Sequence, residues 1–240
     1  MASDKTILLG LTTSPASDWR DKIEEIKEFK LTEISLFLEG LSQSDRQELF
    51  ALLATTSLQS IPCVHLANDF TAAEIEQLIS KYKSKIFTCH ADQAGYELLN
   101  RLPKYNSLIY MENPEDAKLL ADFSLAALTT HQVTGLCLDL SHAASIAKTN
   151  NAKFKTLLEI AKKLPVGVNH VSGVRSRTIF KFIQQSKSHH QIESLTEFDY
   201  LKDLPASLFS KYICLELDNS LLEQREVKQY LELIVEEKAK

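Results

Sequence analysis

The sequence predicts one α/β domain closed as a (β/α)8 barrel, and three observations carry that reading. Short apolar runs alternate with longer amphipathic segments from end to end, which implies a parallel sheet covered by helices. Eight such runs can be drawn in the chain. No glycine-rich phosphate loop follows the first run, where an open dinucleotide-binding sheet carries GxGxxG, so closure is favoured over a doubly wound sheet. The length of 240 residues suits a barrel, since this architecture takes about 250. With no linker or low-complexity stretch, a single domain over residues 1–240 is expected.

The strands are expected at residues 7–12, 33–38, 61–66, 86–89, 108–112, 135–140, 166–170 and 212–217. The first is followed by a helix over 18–29, where Trp19, Ile23, Ile26 and Phe29 recur at helical spacing. Thr71-Ala-Ala-Glu74 and Ser220-Leu-Leu-Glu223 have the spacing of a capping box, in which the hydroxyl takes an orphan amide and the glutamate reaches back. Asn113-Pro114 reads as an N-cap followed by proline at the first helical position. The longest irregular region runs over 184–205, before the last strand, and loops of that length are often functional.

Composition excludes some classes. At 44% apolar and 25% charged residues the chain can bury a core beneath an ordinary polar surface. A formal charge of −5 argues against a sequence-independent grip on nucleic acid, which needs a basic face, although a local basic patch is compatible with it. Apolar stretches of five to eight residues are too short for a bilayer span. The start MASDKTILLG lacks the charged and apolar regions of a secretory signal, so a cytoplasmic location is the default expectation. Cys63, Cys89, Cys137 and Cys214 form no CxxC pair, and disulfides are not expected.

The informative feature is positional. His65, His90, Glu112, Asp139, His170 and Glu216 stand at or just after the C-terminal ends of six predicted strands. One such residue is readily explained as capped or solvated. Six on the rim where barrels place their chemistry point to a divalent cation held by histidines and carboxylates. Residues two apart share a strand face, so Cys63/His65, Tyr110/Glu112, Cys137/Asp139, Val168/His170 and Cys214/Glu216 project inward as pairs. Cys63, Cys137, Val168 and Cys214 are small enough to fill a layer below the ligands, and packing is favoured over thiolate coordination. Cys89 should face the helices. His131 is expected on the surface at the opposite rim, and His189 exposed beside His190. Arg175 and Arg177 could hold an anionic or hydroxylated substrate end; the plainer reading is a solvated helix start.

At these residues the sequence resembles the xylose isomerase-like TIM-barrel superfamily. That group includes sugar isomerases, ketose 3-epimerases, hydroxypyruvate isomerases and endonuclease IV-type apurinic-site nucleases. The anchors are Met111-Glu112-Asn113, Asp139-Leu-Ser-His142, His170 and Glu216, in order over nearly the whole chain. In the isomerase and epimerase branch the resemblance implies one divalent ion, commonly manganese, magnesium or cobalt, on Glu112, Asp139, His170 and Glu216. It also implies proton exchange by the two glutamates and substrate contact by His142. In the nuclease branch it implies up to three zinc ions. His65 and His90 join the set with Glu112 bridging, and a third site uses His142 and the DxH pair, here Ser188-His189-His190.

The sequence departs from these patterns in places. Ser188 stands where the DxH motif has aspartate, and Ser194 and Thr196 stand where glycines are usual before Glu197-Phe198-Asp199-Tyr200. His170-Val-Ser-Gly173 lacks the carboxylate of the usual HxxD, and the arginine expected six residues after the histidine is displaced to Arg175 or Arg177. Three readings follow. One is a metal-dependent isomerase or epimerase of a small carbohydrate-like or keto/hydroxy compound. The second is a zinc-dependent hydrolase of phosphodiesters, with nucleic acid as partner under that reading alone. The third is a barrel that binds metal without catalysis. None involves a membrane.

Overall fold

The computed structural model describes residues 4–115, 123–180 and 183–238, with the backbone alone for 176–180 and 183–187. One sheet holds nine parallel segments: β1 (Thr6–Leu8), β2 (Gly10–Thr12), β3 (Ser35–Phe37), β4 (Cys63–His65), β5 (Ile86–His90), β6 (Ile109–Glu112), β7 (Leu136–Asp139), β8 (Val166–Val171) and, late in the chain, β11 (Tyr212–Leu215). The order across the sheet is β1-β11-β8-β7-β6-β5-β4-β3-β2. Its two ends are consecutive in the chain, separated by Leu9 alone, so the sheet closes on itself as an α/β barrel.

The first predicted strand is thus divided. Leu8 pairs with Cys214 on one side and Gly10 with Ser35 on the other. At the division, a Cβ on Gly10 would lie 1.8 Å from the Leu215 carbonyl oxygen, so only glycine fits. The backbone groups of Gly10 are satisfied by the buried amide of Gln224, which accepts from its N–H at 2.7 Å and donates to its carbonyl at 3.0 Å. A side chain thereby replaces ladder hydrogen bonds that the split removes.

Helices α1 (Trp19–Glu28), α2 (Gln43–Leu53), α3 (Ala72–Tyr82), α4 (Gln93–Arg101), α5 (Leu125–Thr130), α6 (Leu140–Thr149), α7 (Asn151–Lys163) and α8 (Leu221–Lys238) are interleaved with the strands. Asp18 caps α1, whose buried face carries Trp19, Lys22, Ile23 and Ile26. Thr71 and Glu74 form the expected capping box on α3, and Ser220 and Glu223 exchange the same pair of bonds at α8. Asn113 directs its side chain to the backbone of the neighbouring strand. Its Oδ1 accepts from Asp139 N at 2.7 Å and its amide donates to Asp139 O at 3.2 Å. The helix expected after Pro114 falls largely outside the described residues.

Two apolar groups lie on either side of the barrel wall. Strand and helix residues pack between the two layers, while Leu8, Phe37, Cys63, Ile86, Cys137, Val168 and Cys214 fill the interior. The three interior thiols are the inward layer that strand periodicity anticipated. Cys89 belongs to the outer layer, with its sulfur 3.4 Å from that of Met111.

The segment after β8 corrects the sequence reading. Instead of a helix start near Arg175, β9 (Gly173–Phe180) pairs antiparallel with β10 (Ile183–His189) as a hairpin. The expected irregular region thus opens with a strand, and it later contains a 3-10 helix at Leu195–Asp203. Among the described residues no helix is long and apolar enough to cross a membrane.

Candidate metal centre

Period-two geometry brings polar strand ends together at one mouth of the barrel. Register places His90 beside Glu112 and Asp139 beside His170. Glu216 follows β11 directly and continues its pairing, donating its N–H to Val171 O at 2.9 Å. His65, Glu112, Asp139, His170 and Glu216 are all buried, between 1% and 7% exposed.

One ligand atom from each of Glu112, Asp139, His170 and Glu216 lies within 4.8 Å of the other three. His170 Nδ1 stands 3.0 Å from Glu112 Oε2 and 3.4 Å from Glu216 Oε2. Glu112 Oε2, Asp139 Oδ2 and His170 Nδ1 are nevertheless buried without a hydrogen-bond partner. Proximity without hydrogen-bond alignment is what convergent lone pairs give, and orphaned buried polar atoms are costly unless something satisfies them. Three carboxylates and an imidazole are suitable donors for a divalent cation.

The surroundings aim these atoms. Asp139 Oδ1 is occupied by the backbone N–H of His142 at 2.8 Å and by the hydroxyl of Ser141, leaving Oδ2 free. Ser141 is hydrogen-bonded in turn to Ser172 at 2.8 Å. Charge crowding shows in the acidities. Burial raises the Asp139 pKa, and the neighbouring Glu112 and Glu216 carboxylates add to the rise against the pull of His142. Burial also opposes ionisation of Glu112, but the adjacent His170, His65 and His90 rings together outweigh it and hold that carboxyl well below the usual range.

A second grouping was only half visible in the sequence. Glu39 Oε1 lies 3.1 Å from His65 Nε2 and 2.7 Å from His90 Nε2. The reading of the second strand stopped at residue 38, one short of this residue. Ser35, Phe37 and Glu39 alternate on one face, and Phe37 is an interior residue, so extending the period by one step would have found it. Burial favours a neutral His65 ring, yet the flanking Glu39 and Glu112 carboxylates push its pKa up to about 10.

Above these groups opens a cavity of about 410 Å³, lined by Glu39, His90, Asp92, Glu112, Glu115, His142, His190 and Glu216 among others. His142 and His190 therefore reach the mouth: His142 Nδ1 is 3.7 Å from Glu112 Oε1, and His190 Nε2 is 3.7 Å from Glu216 Oε1. Ser188, in the place of the DxH aspartate, donates to the Glu115 carboxylate from its hydroxyl at 2.8 Å. Arg175 is held elsewhere, by Glu193 at 3.0 Å and Glu197 at 3.2 Å, and lines a different cavity of about 480 Å³. The Arg177 side chain lies outside the described residues. At Gly173, where the usual HxxD has its carboxylate, a Cβ would meet Glu197 Oε2 at 2.7 Å and His189 Cε1 at 2.9 Å, so a side chain enters there only if those side chains shift. His189 is partly buried against Glu197 at 2.8 Å, and His131 stacks on Tyr96 at 4.0 Å.

No protein-family model matches the chain, and no curated protein matches it. Among solved structures, the IOLI protein with a bound zinc atom aligns with a TM-score of 0.54 at 13% identity, over 96% of this chain and 98% of that one. The likeness is one of fold. It is the α/β barrel that the xylose isomerase-like resemblance implies. N-(5'-phosphoribosyl)anthranilate isomerase from Pyrococcus furiosus aligns at TM-score 0.45 and 10% identity, over 97% of this chain and 99% of that one. A family 2 AP endonuclease from Brucella melitensis aligns at 0.47 and 10%, over 91% and 96%.

Proposed function

We propose that the chain is a divalent-metal-dependent isomerase or epimerase of a sugar or small keto/hydroxy compound, moving a proton between Glu112 and Glu216. The observation that carries this reading is the set of unpartnered buried atoms Glu112 Oε2, Asp139 Oδ2 and His170 Nδ1, converging with Glu216 below a cavity. The IOLI structure, which shares this fold, has a bound zinc atom, and this supports metal binding by the barrel.

When bound by this quartet, a divalent cation would polarise a carbonyl and its neighbouring hydroxyl and stabilise the negative charge of an enediolate. The two glutamates divide their oxygens between two tasks. In each, Oε2 faces His170, while Oε1 lies nearest a cavity histidine, His142 for Glu112 and His190 for Glu216. The Oε1 atoms are therefore the proton-exchanging ones. Glu112 ends β6 and Glu216 directly follows β11, with β7 and β8 between them, so they meet a substrate from different sides. One removes the proton alpha to the carbonyl and the other returns it.

The test is solvent deuterium exchange into a panel of ketoses and small keto acids, using protein loaded with manganese, magnesium, cobalt or zinc. Label should enter at least one substrate with the native chain and be lost in Glu112→Gln and Glu216→Gln. Absence of exchange from metal-loaded native protein across the panel rejects the reading. A second reading, zinc-dependent hydrolysis of phosphodiesters, is favoured by the His65 and His90 rings, 4.9 Å apart beside the quartet. The carboxylates of the cavity wall oppose a polyanion, and nicking of duplex DNA containing an abasic site decides the matter.

A further inference from the structure

We propose that Lys22 is a positioning residue for Glu216: from helix α1 it grips the strap of chain that follows β11 and so holds the glutamate at the barrel mouth. The consequence for metal binding and proton transfer rests on the isomerase reading; the anchoring itself does not.

Glu216 lies just past the end of β11, which stops at Leu215. On one side its N–H donates to Val171 O at 2.9 Å, in continuation of the pairing with β8. On the other side the ladder is missing. β1 pairs with β11 as far as Leu8 and Cys214, whereas β2, the second half of the divided first strand, pairs with β3. No strand pairing joins β2 to β11, so side chains close the seam there.

Those side chains meet at the carbonyl of Leu217, one residue beyond the glutamate. Lys22 Nζ donates to it at 2.7 Å and Gln224 Nε2 at 3.1 Å, and the Thr12 hydroxyl stands 2.9 Å away. Lys22 also donates to Thr12 Oγ1 at 2.8 Å, so one ammonium ties the last residue of β2 to the strap. The next residue, Asp218, donates its N–H to His190 O at 2.8 Å and accepts from the Ser14 hydroxyl at 2.8 Å. The backbone of Glu216 is thereby held from both sides.

The choice of lysine is the independent observation. It is 2% exposed, and among the described residues both of its hydrogen bonds go to uncharged acceptors. An ammonium has three N–H groups, and burying one without a bonded carboxylate lowers stability. The rest of the buried face of α1 is Trp19, Ile23 and Ile26, where an apolar side chain would pack at no such cost. Departures of this kind from local rules gather at functional positions. The charge has a use here, since a hydrogen bond from an ionised donor is roughly twice as strong as a neutral one. Gln224 and Thr12 alone cannot supply that grip.

The test is amide hydrogen exchange by NMR on the full chain at pH 7, native against Lys22→Met, with metal affinity measured by competition against a chromophoric chelator. In the variant the Glu216 and Asp218 amides should exchange about 10-fold faster or more, while Ile213 and Cys214 in the β1–β11 ladder keep their protection. Affinity for zinc or manganese should fall by about 10- to 100-fold, although the variant resists urea at least as well as the native chain. Lys22→Gln, whose donor is one bond shorter, is the second variant and should behave alike. A weaker site in a fold that is no less stable separates positioning from a structural role. Unchanged exchange at Glu216 and Asp218 overturns the proposal. So does faster exchange with unchanged affinity, and so does a loss of urea resistance in both variants. A native chain that takes up no ion rejects the quartet alone, and the amide exchange then supports or overturns the anchoring by itself.

Discussion

Ser141 donates its hydroxyl hydrogen to Oδ1 of Asp139, and the other carboxylate oxygen, Oδ2, is left buried without a partner. The serine thus decides which oxygen is offered to a cation. Replacing Ser141 with Ala should keep the fold and lower metal affinity at the quartet by about 10- to 100-fold, the usual effect of losing a group that orients a ligand. Competition with a chromophoric chelator would measure it. Unchanged affinity would show that the His142 N–H suffices.

Lys22 makes a pH prediction. It is 2% exposed and donates to Thr12 Oγ1 at 2.8 Å and to Leu217 O at 2.7 Å. Burial pulls its pKa down from 10.5 to about 8. Between those values the unfolded chain binds the proton that the folded chain has released, so folding stability should rise with pH through this window. The contribution is fully present above the upper value and lost as pH falls through the lower one, a difference on the order of 3 kcal/mol. Urea denaturation of the native chain and Lys22→Met from pH 7 to pH 11 should show the variant lacking this rise.

Arg46 is fully buried, bound to Glu74 at 2.7 Å, Asp69 at 2.8 Å and Leu41 O at 2.8 Å. Arg46→Met leaves the buried Glu74 charge without its cation and should cost about 3–5 kcal/mol. Adding Glu74→Gln should recover part of that loss. A double variant as unstable as the sum of the two single ones would deny the coupling.

The thiols should be inert and metal-free. All four cysteines are buried and unbonded, and burial raises the pKa of Cys63, Cys89 and Cys137 above the ordinary thiol range. Thiol titration is expected to find them slow to react in the folded protein and fully reactive only in denaturant. Single serine substitutions at Cys63, Cys137 and Cys214 should leave the metal count unchanged; a lost ion in any of them would make that sulfur a ligand.

Alternation of side chains made much of the arrangement legible in the sequence. It placed Cys63 below His65 and Cys214 below Glu216, and the interior layer of the barrel follows that pattern. Periodicity says nothing about where a strand must break or which neighbour it pairs with. The division at Leu9 depends on how Gly10 meets Leu215, and the Gln224 bridge joins residues 214 positions apart. The hairpin was missed for a related reason. Residues 173–178 and 184–189 carry arginine, serine, glutamine and histidine rather than an apolar alternation, and their pairing is made with one another, outside the barrel sheet. Glu39 was lost to a boundary drawn one residue short. For Arg175 the sequence offers a substrate contact or, more plainly, a solvated helix start, because the glutamates that hold it lie 18 and 22 positions further on.

The seam at Leu9 also bears on how the chain reaches its shape. Thr6 bonds to Lys211 and Gly10 to Gln224, so the cylinder cannot shut until segments from opposite ends of the polypeptide meet. Contacts so distant in sequence form slowly, because a long loop must be ordered before they contribute. Without that meeting the strands leave two margins unpaired, and the mouth that gathers His170 and Glu216 lacks the segment that brings Glu216 to it.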